Sequence, residues 1–79
     1  MIRFRLKELI ADKEFREERR VTLEEISKIT DIHRTTLSKL SNQKGYNTTT
    51  EVLDKLCDYF QVDVGQLAEH IKDNPGRGA

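Results

Sequence analysis

Within ten residues, His33, Arg34, Thr35, Ser38, Lys39 and Asn42 form the group of side chains best suited to chemistry in this sequence. Leu37 and Leu40, three apart, mark the inward side of a helix over residues 33–42. The polar residues then fall on its outer side, Arg34, Ser38 and Asn42 in one row and Thr35, Lys39 and Asn42 in another. Every one of them can donate a hydrogen bond, two are cationic and none is acidic. Such a row suits the base edges of a DNA major groove. Arginine or lysine meets guanine O6 and N7, asparagine meets adenine, and a threonine methyl meets thymine. The alternative is a plain solvated face, although solvated faces usually mix both charges, as the other helices here do.

The charge distribution bears on the same segment. The chain carries 14 basic and 14 acidic groups, and a net charge of zero argues weakly against a nucleic-acid partner. Residues 1–31 hold eight basic and eight acidic groups, and residues 51–79 hold three and six. Between Ile32 and Thr50 stand Arg34, Lys39 and Lys44, with no carboxylate. Repulsion between carboxylates and phosphate would explain that gap. Chance together with a polar loop explains it equally well on charge alone.

Seventy-nine residues suffice for one domain. A domain this small buries only about 60% of its unfolded surface, so it lives with a thin core or pairs with a copy of itself. A deep catalytic pocket has little room. The lone Cys57 cannot close an internal disulfide. No apolar run approaches a membrane span. The start, Met1-Ile2-Arg3-Phe4-Arg5, is charged from its third residue, unlike a signal peptide. The expected compartment is the cytoplasm.

Apolar residues recur with helical period along the chain. Ile2, Leu6, Leu9, Ile10 and Lys13 predict a first helix from Ile2 to at least Lys13. Residues 14–21 are dense in charge, with Phe15 as their apolar anchor, and either extend that helix or break it into a loop. Thr22-Leu23-Glu24-Glu25 is a capping box for a second helix, its inner face Leu23, Ile26 and Thr30. That helix should stop at Asp31, because aspartate tolerates turns. Residues 42–47 form a polar loop in which Gly45 can supply a positive φ. Thr48 or Thr49 caps a fourth helix carrying Val52, Leu53, Leu56, Cys57 and Phe60. Asp63 with Gln66 makes a further capping box for a fifth helix carrying Val64, Leu67 and Ile71. Asn74-Pro75-Gly76 ends it, and residues 74–79 are expected to be disordered. No repeat and no strand-like alternation stands out, so the expected fold is all-α, a compact bundle of five short helices.

The second and third helices are separated by a turn of about three residues, which forces a steep crossing, the helix-turn-helix geometry. Ser27 supplies the small contact, and Ile26, Ile32, Leu37 and Leu40 the apolar grip. Other constellations are weaker. Cys57 lies on an apolar face and reads as a buried structural thiol. His33, His70 and Cys57 match no zinc spacing. His33 suits a helix cap or a phosphate contact, and His70 the surface. The threonines at 48–50 could be phosphorylated, but capping accounts for them. No phosphate loop, carboxylate pair or Ser-His arrangement is visible, so neither an enzyme nor a cofactor is expected.

The run Thr22-Leu23-Glu24-Glu25-Ile26-Ser27-Lys28-Ile29-Thr30-Asp31-Ile32-His33-Arg34-Thr35-Thr36-Leu37-Ser38-Lys39-Leu40 resembles the XRE family, the Cro and phage-repressor type of helix-turn-helix regulator. Residues 49–64, from Thr49-Thr50-Glu51-Val52-Leu53 to Gln61-Val62-Asp63-Val64, resemble the fourth helix and fifth-helix start of the same family. The resemblance implies a lambda-repressor-like five-helix DNA-binding domain over residues 1–73, its helix-turn-helix spanning 23–42, of bacterial or phage origin. It implies base reading by Arg34, Thr35 and Lys39, with His33, Ser38 and Asn42 beside them. Phosphate contacts would come from Thr22 at a helix N-terminus and from Lys44, Tyr46 and Asn47. Three departures stand out. Asp31 occupies the family's turn glycine, Ser27 its usual alanine, and residues 14–21 lengthen the link between the first two helices. Arg16, Arg19 and Arg20 of that link could touch phosphates, unless it is a solvated helix end.

The resulting expectation is a sequence-specific regulator of transcription bound to double-stranded DNA, acting as a repressor. The alternative is a protein-interaction module of the same fold, as an antitoxin binds its toxin. One recognition helix reads too few base pairs for the usual specificity, so a homodimer is expected. Its candidate surfaces are Tyr59, Val64 and the fifth helix, or the extended first helix. No membrane partner is expected.

Overall fold

The computed structural model of the chain describes residues 1–43 and 45–72. Lys44 and the 74–79 tail, together with residue 73, lie outside the described residues. In chain order the elements are β1 (Ile2–Phe4), α1 (Leu6–Glu17), α2 (Leu23–Thr30), α3 (Arg34–Asn42), α4 (Thr50–Phe60), α5 (Val64–Leu67) and β2 (Ala68–His70). Five helices surround one core of Leu6, Val21, Ile26, Ile32, Leu37, Leu40, Leu56, Phe60 and Leu67. None is long and apolar enough to cross a membrane among the described residues.

The two ends of the chain depart from the all-helical expectation. Residues 2–4 pair antiparallel with 68–70, Ile2 opposite His70, Arg3 opposite Glu69 and Phe4 opposite Ala68. The helix expected from Ile2 therefore starts only at Leu6, and the fifth helix ends at Leu67 without reaching Ile71. The amides explain it. Ile71 donates to the Met1 carbonyl at 2.8 Å and Arg5 to the Leu67 carbonyl at 2.7 Å, which closes the ladder at both ends. Glu69 then receives Arg5 at 2.9 Å and Arg3 at 3.5 Å across the strands. Ile2-Arg3-Phe4-Arg5-Leu6 does alternate apolar and charged residues, a short period-2 signal that the helical reading of Ile2, Leu6 and Leu9 overrode.

Residues 14–17 continue α1, and Glu18 ends it in the left-handed region at φ 53°. Phe15 is no anchor: it is 86% exposed. The link to α2 is tied down by side chains instead. Glu14 Oε2 accepts the Val21 amide at 2.8 Å. Arg19 grips Glu25 through two nitrogens at 2.8 Å each and Glu17 through its Nε at 2.8 Å. These exposed ion pairs add little stability each. Together they fix the path of the chain so that Val21 can enter the core.

The carboxylates in these pairs titrate below their ordinary range, and each links a small part of the stability to pH. Hydrogen bonding holds each below the ordinary range, Glu25 through Arg19, Glu17 chiefly through Lys13 and Glu69 through Arg5. Their stabilisation is complete above the ordinary glutamate range and disappears as pH falls through the lowered folded values. In a carbon-detected NMR titration, Glu17, Glu25 and Glu69 should protonate at lower pH than model-peptide glutamate. Titration at or above that range would mean the pairs do not form in solution.

Candidate nucleic-acid interface

The site begins with how α2 is started and stopped. Thr22 has extended backbone and its Oγ1 accepts the Glu25 amide at 3.1 Å, the expected cap. The other half of the box is absent because Arg19 has claimed the Glu25 carboxylate. At the far end Asp31 takes φ 63°, ψ 30° and donates its amide to the Ser27 carbonyl at 2.8 Å. Aspartate thus performs the turn at the position where the resembled family has glycine, as a short polar side chain can. Replacement by glycine should leave stability and DNA affinity intact, while Asp31→Val should lose about 1–2 kcal/mol. Urea unfolding of the two variants measures this, and equal stability would show that the turn tolerates other conformations.

From Asp31 the chain turns in three residues into α3. Ser27 Oγ donates to the Ile32 carbonyl at 2.5 Å, and the Ile32 amide reaches Thr30 Oγ1 at 3.3 Å. The Asp31 amide and both backbone polar groups of Ile32 are therefore satisfied by α2 itself, and Ser27 is both the small contact and a clasp. Ile26, Ile32, Leu37 and Leu40 are all buried. The inward side read from the sequence is the side that packs.

The opposite side of α3 carries the candidate readers. His33, Arg34, Thr35, Lys39 and Asn42 are exposed and Ser38 is half-buried. Asn42 Nδ2 donates to the Ser38 carbonyl at 3.0 Å, consistent with their shared row. His33 occupies the N-cap position of α3, but its side chain makes no capping bond. Arg34 lies 4.0 Å from Glu24, both well exposed, too loose a pair to hold the guanidinium against a better partner. The Lys39 ammonium stands 5.8 Å from the centre of the Tyr46 ring, so α3 and the following loop meet through a cation–π contact. Tyr46 is half-buried against the core and Asn47 is exposed.

Beside this face runs a groove of about 510 Å³, lined by Lys7, Arg20, Thr22, Glu24, Arg34 and Asn42 among others. It brings the start of α2, the end of the α1–α2 link and the flank of α3 to one surface. Lys7 was not distinguished by sequence reasoning, because its row on α1 is visible only once α1 is set beside α3. Of the three link arginines, Arg20 faces this groove, Arg19 is taken up by Glu17 and Glu25, and Arg16 belongs to the far side of α1. Glu24 is the one acid in the lining.

A family model for the Cro/C1-type helix-turn-helix DNA-binding domain matches residues 5–73. This chain is a member of the Cro/C1-type helix-turn-helix family. Comparison with curated proteins and with solved structures found no match. Within the matched span, α2 and α3 are joined by the three-residue turn Asp31–His33. Its partner class is DNA.

Other groups lie away from this surface. Cys57 is half-buried against the core rather than fully buried, and desolvation, reinforced by Asp54 and Asp63, pushes its thiol up, away from nucleophilic reactivity. His70 is exposed in β2. Among the described residues no three His, Cys, Asp or Glu side chains converge on a metal position.

Proposed function

We propose that this Cro/C1-type domain is a sequence-specific regulator that binds double-stranded DNA with α3 in the major groove and represses by covering a promoter. The observation that carries the reading is the exposed, acid-free face of α3, rich in donors and rigidly mounted across α2 by buried Ile26, Leu37 and Leu40. Arg34, Thr35 and Lys39 read base edges, with His33, Ser38 and Asn42 beside them. Thr22, Tyr46 and Asn47 contact phosphates, joined by Lys7 and Arg20 from the adjoining groove. A single short helix reads few base pairs, so two copies act on a two-fold site.

Selection from random duplex DNA tests this directly. An enriched sequence with two related half-sites is the expected result. Binding without enrichment, governed by salt alone, would reduce the protein to a non-specific backbone binder.

A further inference from the structure

The most exposed large apolar side chain among the described residues is Phe15, in the extended part of α1. It borders a groove of about 410 Å³ whose apolar lining is Leu9, Phe60 and Val62, and whose charged lining is Asp12 and Arg16. This groove shares no residue with the one beside α3. Asp12 and Arg16 are four apart on one helix row, yet neither forms an ion pair among the described residues. Ala11, four residues before Phe15, is exposed on the side of Phe15 away from the groove and small enough to receive a ring.

A projecting ring, a small exposed residue to receive it and an unpaired opposite-charge couple make this surface complementary to itself. We propose that a second copy of this chain docks here, with α1 packed antiparallel on the partner's α1 about a two-fold axis near residues 13–14. Each Phe15 then lies over the partner's Ala11, and each Asp12 meets the partner's Arg16 along the edge of the groove. An isologous contact satisfies both ion pairs at once, which a heterologous one would not. The last turn of α1, residues 14–17, carries Phe15 and Arg16. The choice of a second copy as occupant rests partly on the DNA-reading proposal, which requires two copies.

Sedimentation equilibrium of the full chain without DNA tests the surface separately from DNA reading. A monomer–dimer equilibrium is expected, weakened about tenfold or more by Phe15→Ala. Circular dichroism should show the variant folded, because an exposed ring holds nothing in place. Asp12→Arg and Arg16→Asp should each weaken association, and the double reversal should restore it. A wild-type chain that stays monomeric, free and on DNA, overturns the proposal and leaves the ridge to a different protein. So does association indifferent to these substitutions, or a double reversal as weak as the single ones. A dimer broken by Phe15→Ala, together with failed DNA selection, would keep this surface and remove the DNA-reading proposal.

Discussion

Leu37→Ala is expected to lower the unfolding free energy by about 2–5 kcal/mol. Leu37 is fully buried and belongs to the same core cluster as Leu6, Ile26 and Leu40. Truncation removes its transfer free energy and leaves a void where α3 is held against the rest of the core. A domain of this size has roughly 5 kcal/mol or little more to lose, so much of the population should unfold near 37 °C. Leu37→Met, nearly equal in volume, should cost less than about 1.5 kcal/mol. Urea unfolding followed by circular dichroism measures both. If alanine cost under about 1 kcal/mol, the α2–α3 crossing would not be the rigid mount that base reading requires.

Arg34→Ala is expected to cost about 1–3 kcal/mol in affinity for the selected DNA site and to relax preference at one position in each half-site. Its fold should be unaffected, since Arg34 is exposed and its contact with Glu24 is long. Lys7→Ala and Arg20→Ala should behave differently. Each removes a phosphate contact, weakening binding to all sequences alike and lowering the salt slope by about one. Repeating the selection with the three variants at two salt concentrations separates the roles. Uniform weakening by Arg34→Ala would reassign it to the backbone and shift base reading to Thr35 and Lys39. An unchanged preference and affinity would remove α3 from the groove altogether.

Much of this protein was legible from local sequence, because the signals involved act over a few residues. Helical period located α2, α3 and α4, and threonines marked the starts of α2 at Thr22 and of α4 at Thr48 or Thr49, of which the structure uses Thr49. The spacing of Ile26, Ile32, Leu37 and Leu40 identified the inward side, and with it the outward row from Arg34 to Asn42. Asp31 was readable as a turn residue because its short polar side chain tolerates the left-handed conformation.

Only the tertiary structure decided the rest, and in each case the deciding partner is distant in sequence. Ile2–Phe4 form a strand because residues 68–70 offer them a ladder; alone, Leu6 and Leu9 draw them toward a helix. The same ladder ends the fifth helix at Leu67 and leaves Ile71 outside it. Tyr59, a candidate for the dimer surface, is half-buried, with Lys13 4.9 Å above its ring, whereas Val64 is exposed. Phe15 has the composition of an anchor and the environment of a projection, since among the described residues none covers its ring. Hydrophobic period says which residues share a face, and only packing says whether that face meets the core, a groove or water.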